Sequence, residues 1–145
     1  MIVSTDMVHL FGLELKKGVG YESIPRDRLF ELLERRLNSP SAITYTVVAH
    51  DKVIAIIGLV QIYGGFYEAW AFIGEDSVKY PKVLYKDVKN VLDFHIQDLN
   101  IVRVQASSSG TQDLDAWFTK LGFEKEGVMR KAGLDGGDLI LWGRV

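Results

Sequence analysis

The chain has 145 residues, of which 48% are hydrophobic and 25% charged, and its formal net charge is −2. This composition predicts one soluble domain spanning residues 1–145 with a sizeable core. The charge argues against nucleic acid as a partner, because phosphate contacts need a clustered excess of Lys and Arg. The absence of cysteine excludes disulfides, thiolate metal ligands and a cysteine nucleophile.

Neither a membrane segment nor a metal site is indicated. No apolar run reaches the roughly 20 residues that a membrane-spanning helix needs, and the first residues lack the basic start and long apolar run of a signal peptide. The three histidines, His9, His50 and His95, are far apart in the sequence, so no metal centre is expected. We therefore expect a cytoplasmic protein.

Apolar periodicity and turn residues divide the chain into helices and strands. A weak helical segment follows Asp6, a clear amphipathic helix runs from Pro25 to Leu37, and a short helix runs from Asp113 to Leu121 after a loop at Ser107–Gly110. Gly58 indicates a bulge or a close approach to the backbone. The predicted strands are Ile2–Val3, Ile43–Ala49, Val53–Tyr63, Tyr67–Ile73, Ile101–Ala106, Phe123–Lys131 and Asp138–Val145. The order is β, α, α, β, β, β, α, β, α, β, β.

The stretch from Tyr67 to Leu99 organises the rest of the chain. It reads as a buried strand, a charged turn and then, from Lys79 onward, the longest amphipathic helix, with Pro81 suited to the first helical turn and Asp76 or Ser77 placed to cap it. A helix N-terminus after a strand presents unpaired N–H groups, which is where α/β proteins hold phosphates. The alternative is an ordinary strand–helix packing unit, which is far more common.

Two segments carry a resemblance to a known family. Leu121-Gly122-Phe123 closes the last helix and opens a strand, and the segment Val47–Gly58 forms a hairpin. Together with the element order, they resemble the GCN5-related N-acetyltransferase (GNAT) family over nearly the whole chain. The resemblance implies an α+β, three-layer fold: a mixed, mainly antiparallel seven-stranded sheet with a central parallel strand pair, flanked by helices.

The same resemblance implies transfer of an acyl group, usually acetyl, from acetyl-CoA to an amine of a small molecule or peptide. In the family the fourth and fifth strands splay apart, the pantetheine arm lies in the gap, and the pyrophosphate binds before the long helix. The residues that this places at acetyl-CoA are Ala71, Phe72, Ile73, Ser77, Val78, Lys79, Lys82, Ser107, Thr111 and Trp117.

The chain departs from the family pattern at three places. The family's pyrophosphate loop is rich in glycine, but none occurs between residues 74 and 110, so Lys79 and Lys82 would supply charge instead. Phe118 replaces the tyrosine that serves many members as general acid, and Thr111 stands where the family often has Asn. The missing glycine loop looks similar to a divergent branch found in tailed phages, including a small internal virion protein of T7-like phages.

Two functions therefore stay open. The first is an N-acyltransferase with Glu68 as the candidate base, although a solvated edge carboxylate is the alternative role for that residue. The second is an inactive GNAT-fold protein that serves as a binding or structural component, such as part of a virion. The segment Met7–Tyr21 would line the acceptor side of the cleft. The C-terminal strand pair ending in Leu139–Trp142 could join a second chain in a homodimer.

Overall fold

The computed structural model describes residues 1–15, 24–110 and 114–145. The strands in them are β1 Ile2–Ser4, β2 Ala42–Ala49, β3 Lys52–Tyr63, β4 Phe66–Ile73, β5 Arg103–Ser109, β6 Glu124–Met129 and β7 Leu139–Arg144. The helices are α1 Arg26–Asn38, α2 Pro81–Asp98 and α3 Asp115–Lys120. The strands form one sheet in the order β1-β2-β3-β4-β5-β7-β6, and only the β4–β5 pair is parallel. The predicted fold class is confirmed.

The β2–β3 hairpin turns tightly without a glycine. His50 and Asp51 both take left-handed backbone angles, with φ of 48° and 61°. Two such residues form the mirror-image turn whose twist matches the flanking strands. His50 also stacks on Tyr80, with ring centroids 4.9 Å apart, so the hairpin end is joined to the residue before α2. The predicted three-strand antiparallel run is confirmed.

Helices cover both faces of the sheet. On one side, called the α1 face, Leu29 and Leu33 of α1 pack with Ile56 and Phe72 of the sheet. On the other side, called the α2 face, α2 and α3 cover a core that includes Leu84, Val91, Leu92, Val104, Phe118 and Trp142. Because side chains alternate along a strand, the even-numbered residues of β4 point to the α1 face and the odd-numbered ones to the α2 face.

The N-terminal segment forms less helix than predicted. Asp6 caps it as expected by accepting a backbone N–H, but the helix is a single 3-10 turn, Met7–Leu10. The chain then extends, so that Leu13 is buried and Leu15 bridges to Gly74 beyond the end of β4. The near-alternation of apolar residues here belongs to this extended path rather than to a helix.

The connection between β4 and α2 also differs from the prediction. Glu75–Lys79 forms a separate 3-10 turn, and α2 begins at Pro81, which takes the predicted first position. The expected side-chain cap is absent, because the residue before α2 is Tyr80 and makes no capping bond. Asp76 instead pairs with Lys79 at 3.2 Å.

The sequence predicted a loop at Ser107–Gly110, and that prediction is wrong for the three serines. The strand continues through Ser109, which pairs with Leu139 of β7. Ser108 points into the core, where its hydroxyl accepts a hydrogen bond of 2.9 Å from Trp142 Nε1. A buried partner of this kind offsets the desolvation of the hydroxyl, so a polar run can form an interior strand.

The last strand, β7, lies inside the sheet and not at its edge. β7 lies between β5 and β6, so Leu139–Trp142 is paired on both sides and cannot itself join a second chain. The outer edge of the pair is β6. Within the described residues, no helix is both long and apolar enough to cross a membrane.

Candidate active site

The parallel strands β4 and β5 stay together for only three residue pairs. The last of them joins Glu68 to Gln105, and no pair follows it although both strands continue. A cleft of about 1210 Å³ occupies the space between the two separating strands. It is lined from both sides of the sheet, so it reaches α1 on one face and α2 and α3 on the other. The splayed pair expected from the sequence is present.

Most of the predicted cofactor residues lie around this cleft. The residues from that prediction that line it are Ala71, Phe72, Ile73, Ser77, Val78, Lys82, Ser107 and Trp117. Lys79 is not among its lining residues and is paired with Asp76. Thr111 lies outside the described residues, as does part of the predicted acceptor segment, residues 16–23.

The backbone of the turn before α2 is held by hydrogen bonds to β3 and to the N-terminal segment. The Gly74 N–H donates to Ile54 O at 2.9 Å, and the Glu75 N–H donates to Glu14 O at 2.6 Å. A Cβ on Gly74 would lie 2.5 Å from Leu13 Cδ1 and 3.0 Å from Ile54 O, so a larger residue here would displace the Leu13 side chain. The Ser77 N–H is also used, since it donates back to Gly74 O at 3.1 Å. The turn is therefore not an open glycine cradle.

Backbone donors without an acceptor in the helix lie at the start of α2, where Lys82 lines the cleft. Pro81 has no N–H, and the first intrahelical bond is donated by Leu84 to Tyr80 O at 3.1 Å. The N–H groups of Lys82 and Val83 consequently have no acceptor within the helix. Lys82 lines the cleft from this turn and Lys120 from the end of α3, so two cations border the α2 face. Lys120 was not predicted, because its helix carries no phosphate-binding pattern.

The apolar wall on the α2 face comes largely from α3. Trp117 is half-buried and meets Tyr85 edge-on, with ring centroids 6.2 Å apart. Phe118 stacks on Trp142, with centroids 4.6 Å apart and an interplanar angle of 9°. The Phe118 ring has no proton to donate, so the helix provides shape here rather than acid catalysis.

Glu68 lies where the two strands part. It is half-buried, its side chain points to the α1 face, and it lines the cleft. Of the two roles that the sequence left open, this position favours a carboxylate at the cleft wall over one at a solvated edge.

The α1 wall contains residues that the sequence analysis missed. Leu32 and Arg36 of α1 line the cleft, and the Arg36 guanidinium carbon lies 4.5 Å from the centroid of the Trp70 ring. The same indole also lies against Gly58, where a Cβ would be only 2.4 Å from Trp70 Cζ2. The i, i+4 spacing of Leu32 and Arg36 was readable, but the sequence did not say which helix face meets the cleft.

The histidines play no part in the cleft. His95 is buried, and its Nε2 lies 3.0 Å from the Tyr45 hydroxyl. Burial lowers the pKa of His95, while nearby Asp98 partly opposes this effect. In the part of the chain that the structure describes, no group of His, Cys, Asp and Glu side chains could hold a metal ion.

The chain matches no protein-family model and no curated protein. Solved structures are similar to it. A spermidine N-acetyltransferase, a chimera of Vibrio cholerae SpeG and hSSAT, has a TM-score of 0.73 at 16% identity, covering 99% of this chain and 94% of that one. The aminoglycoside 6′-acetyltransferase type Ii has a TM-score of 0.70 at 20% identity, covering 100% of this chain and 96% of that one. A GNAT-family acetyltransferase from Bacillus anthracis has a TM-score of 0.72 at 11% identity, covering 99% of this chain and 93% of that one.

The fold shared with these structures is a mixed seven-stranded sheet with one parallel pair and flanking helices. At these identities the similarity concerns the path of the chain and not its chemistry. The chain therefore has the fold of the GNAT acetyltransferases.

Proposed function

We propose that this chain is an N-acyltransferase that moves an acetyl group from acetyl-CoA to an amine. The observation that carries the proposal is the cleft between β4 and β5. The ladder ends after Glu68 and Gln105, and the space beyond it is open from one face of the sheet to the other. Such a passage lets a thioester enter from the α2 face while an amine approaches from the α1 face.

The cleft fits acetyl-CoA in charge and in shape, although its phosphate site is unlike a glycine loop. The pantetheine arm would run along Ala71–Ile73 of β4, on the wall that these residues already form. The pyrophosphate would lie at the N–H groups and side chain of Lys82, and Lys120 would add a second positive charge. A helix N-terminus with an adjacent lysine favours phosphate through its dipole and through charge-assisted hydrogen bonds.

Glu68 is the group that we assign to the amine. An ammonium must lose a proton before its nitrogen can attack a thioester, and a carboxylate within hydrogen-bonding reach can take that proton. The amine nitrogen bonds to the acetyl carbon of acetyl-CoA, the carbon–sulfur bond breaks, and coenzyme A leaves as a thiolate that needs a proton. Because Phe118 cannot protonate the leaving sulfur, water supplies that proton.

The acceptor belongs to the amines of small molecules or peptides. The similar structures are named for spermidine and aminoglycoside acetyltransferases, and both substrates are amines. Action in the cytoplasm and a homodimeric assembly are part of the same proposal. A phage origin stays a prediction from the sequence resemblance.

Calorimetric titration with acetyl-CoA tests the proposal, because two lysines that are three residues apart make a matched pair of variants. Lys82 lines the cleft, whereas Lys79 lies outside it and pairs with Asp76. We expect saturable binding to the wild type, weakened about tenfold or more in Lys82→Glu, which removes a charge-assisted contact to phosphate. Lys79→Glu carries the same charge change and should bind normally.

The titration also separates the proposal from the inactive alternative. No heat of binding at millimolar acetyl-CoA would refute the acyltransferase and favour a protein that has lost its cosubstrate. Equal weakening by both lysine variants would mean that only general electrostatic attraction is at work, and would refute the placement of the phosphates at Lys82.

A further inference from the structure

We propose that Ser108 is a catalytic residue on the α2 face of the cleft, and that its hydroxyl donates a hydrogen bond to the sulfur that leaves acetyl-CoA. This inference rests on the proposed function, because it takes the cleft as the site of acyl transfer. It assigns a hydrogen-bond donor to the leaving group, whose stabilisation Phe118 cannot provide.

The proton of the Ser108 hydroxyl has no acceptor among the described residues. An indole N–H can only donate, so the Ser108 oxygen is the acceptor of the 2.9 Å bond from Trp142 Nε1. The hydroxyl also carries a proton of its own, and no other described residue bonds to this side chain. Ser108 is only 9% exposed and lines the cleft. A buried donor at a cleft wall is satisfied when a ligand supplies the acceptor.

The register of the two parting strands places Ser108 opposite the wall assigned to the pantetheine arm. The β4–β5 ladder ends at Glu68 and Gln105. Because the strands are parallel, Ala71 and Ser108, each three residues further on, lie at a similar height on the two sides of the gap and point to the same face. Both line the cleft. Within Ala71–Ile73, Ala71 is the residue nearest Glu68, so the reacting end of the arm would lie beside Ser108.

The surroundings of Ser108 strengthen a hydrogen bond to an anion. Phe118 and Trp142 belong to the buried apolar cluster on this face, and a charge-assisted bond is stronger in such an environment than in water. The other hydroxyl contributed by a helix of this wall is less suited to the role. Tyr85 lines the cleft, but its O–H already donates to Lys120 O at 3.2 Å.

The role of Ser108 fits the chemistry of the step. The amine nitrogen bonds to the acetyl carbon, and the electron pair of the broken carbon–sulfur bond stays on sulfur. A thioester sulfur is uncharged and a weak acceptor, whereas the departing thiolate is charged, so the bond from Ser108 strengthens as the carbon–sulfur bond breaks. A hydroxyl is a weaker acid than a thiol. Ser108 therefore keeps its proton, and water protonates the thiolate.

Coenzyme A and desulfo-coenzyme A form a matched pair of probes, because the second has hydrogen in place of the thiol. Both are titrated by calorimetry into the full chain at pH 9, where most of a free thiol is ionised. The chain has no cysteine, so the probe cannot form a disulfide with it. We expect coenzyme A to bind about tenfold more tightly, since a hydrogen bond to a charged group is lost with the sulfur.

Two serine variants test the source of this preference. Ser108→Ala should remove it. Ser4→Ala changes an exposed residue of β1, at the edge of the sheet far from β5, and should keep it.

The Trp142 indole N–H provides a second readout that needs no change at Ser108. Hydrogen bonds in series strengthen one another, so donation from Ser108 to an anion should strengthen the bond from Trp142. Coenzyme A should therefore move the Trp142 signal further downfield in a nitrogen–proton NMR spectrum than desulfo-coenzyme A does. The chain has three tryptophans, and Trp142→Phe identifies the signal. This comparison decides the question even if Ser108→Ala does not fold.

Three results would overturn the inference. They are equal binding of the two probes, a preference for coenzyme A that survives in folded Ser108→Ala, and a Trp142 signal that responds equally to both probes. Each of them leaves the proposed function standing, because acetyl-CoA binding is measured separately. If neither probe binds, the cleft is not a coenzyme A site, and the acyltransferase fails together with the role of Ser108.

Discussion

Gly58 is the position where a single added methyl group should test the architecture of the α1 wall. The residue sits in the middle of β3 with ordinary strand geometry, and its partner across the strand pair is Trp70 of β4. The indole lies so close that a Cβ would be 2.4 Å from Cζ2, 2.5 Å from Cε2 and 2.8 Å from Nε1. Gly58→Ala therefore cannot be accommodated without moving the ring.

The size of the effect follows from these distances. Carbon atoms in contact prefer about 3.5–4.0 Å, so the ring must move by roughly 1.1–1.6 Å, which disturbs its contact with Arg36. Overpacking of this kind costs about 1–3 kcal/mol, and a displaced cation–π contact adds about 0.5–1 kcal/mol. An alanine in an unstrained strand would otherwise gain about 0.4–1 kcal/mol over glycine through the unfolded state. We expect a net loss of about 1–3 kcal/mol.

Urea unfolding measures this loss, with Gly127→Ala as the matched control. No atom lies within 4 Å of a Cβ built on Gly127, so that change should be neutral or slightly stabilising. In a Trp70→Leu background the clash disappears, and Gly58→Ala should then cost little. If Gly58→Ala is as harmless as the control, or if its penalty persists without the indole, the proposed packing of Trp70 is incorrect.

Two further predictions concern buried polar groups. Ser108→Ala should lower the free energy of unfolding by about 1–3 kcal/mol, because it leaves the buried Trp142 N–H unpaired. Ser107→Ala, a change at the exposed neighbour, should alter it by less than about 0.5 kcal/mol, and equal effects of the two variants in urea unfolding would refute the role of this bond. His95 is expected to make the free energy of unfolding depend on pH, because burial lowers its pKa in the folded state. Its contribution to stability is therefore complete above the unfolded pKa of about 6.5. Stability falls as the pH drops below that value, with a slope of up to about 1.4 kcal/mol per pH unit. Unfolding curves between pH 7.5 and 5 should show this decline, and His95→Gln should flatten it, whereas His50→Gln in the exposed turn should not.

The fold was predictable because its signals are local. The spacing of apolar residues marked α1 and α2, and Leu121-Gly122-Phe123 marked the end of the last helix. The serine-rich end of β5 escaped this reasoning. The serines of β5 read as a loop because the partner of Ser108, Trp142, lies 34 residues away in the sequence. A hydrogen bond of that span cannot be inferred from composition.

The strand residues that line the cleft were predicted from the sequence, whereas the residues that α1 contributes to it were not. Residues of β4 and of the turn after it could be assigned because they are contiguous in the sequence. Nothing in the sequence distinguished Lys79 from Lys82. In the structure, Lys79 ends the 3-10 turn and pairs with Asp76, whereas Lys82 lies in the first turn of α2 and lines the cleft. Arg36 escaped because its role depends on which side of α1 packs over Trp70, a property of tertiary packing.

The most direct test of the proposed function is the release of free thiol from acetyl-CoA in the presence of an amine. The chain has no cysteine, so a thiol reagent detects only the released coenzyme. We expect the wild type to release thiol in an amine-dependent manner. Glu68→Gln should lower the rate by about a hundredfold or more, as for the loss of a general base, and Glu124→Gln, an exposed carboxylate outside the cleft, should leave it unchanged. No release above the blank with any amine, or a Glu68→Gln variant as active as the wild type, would contradict the assignment of this cleft as an acyl-transfer site.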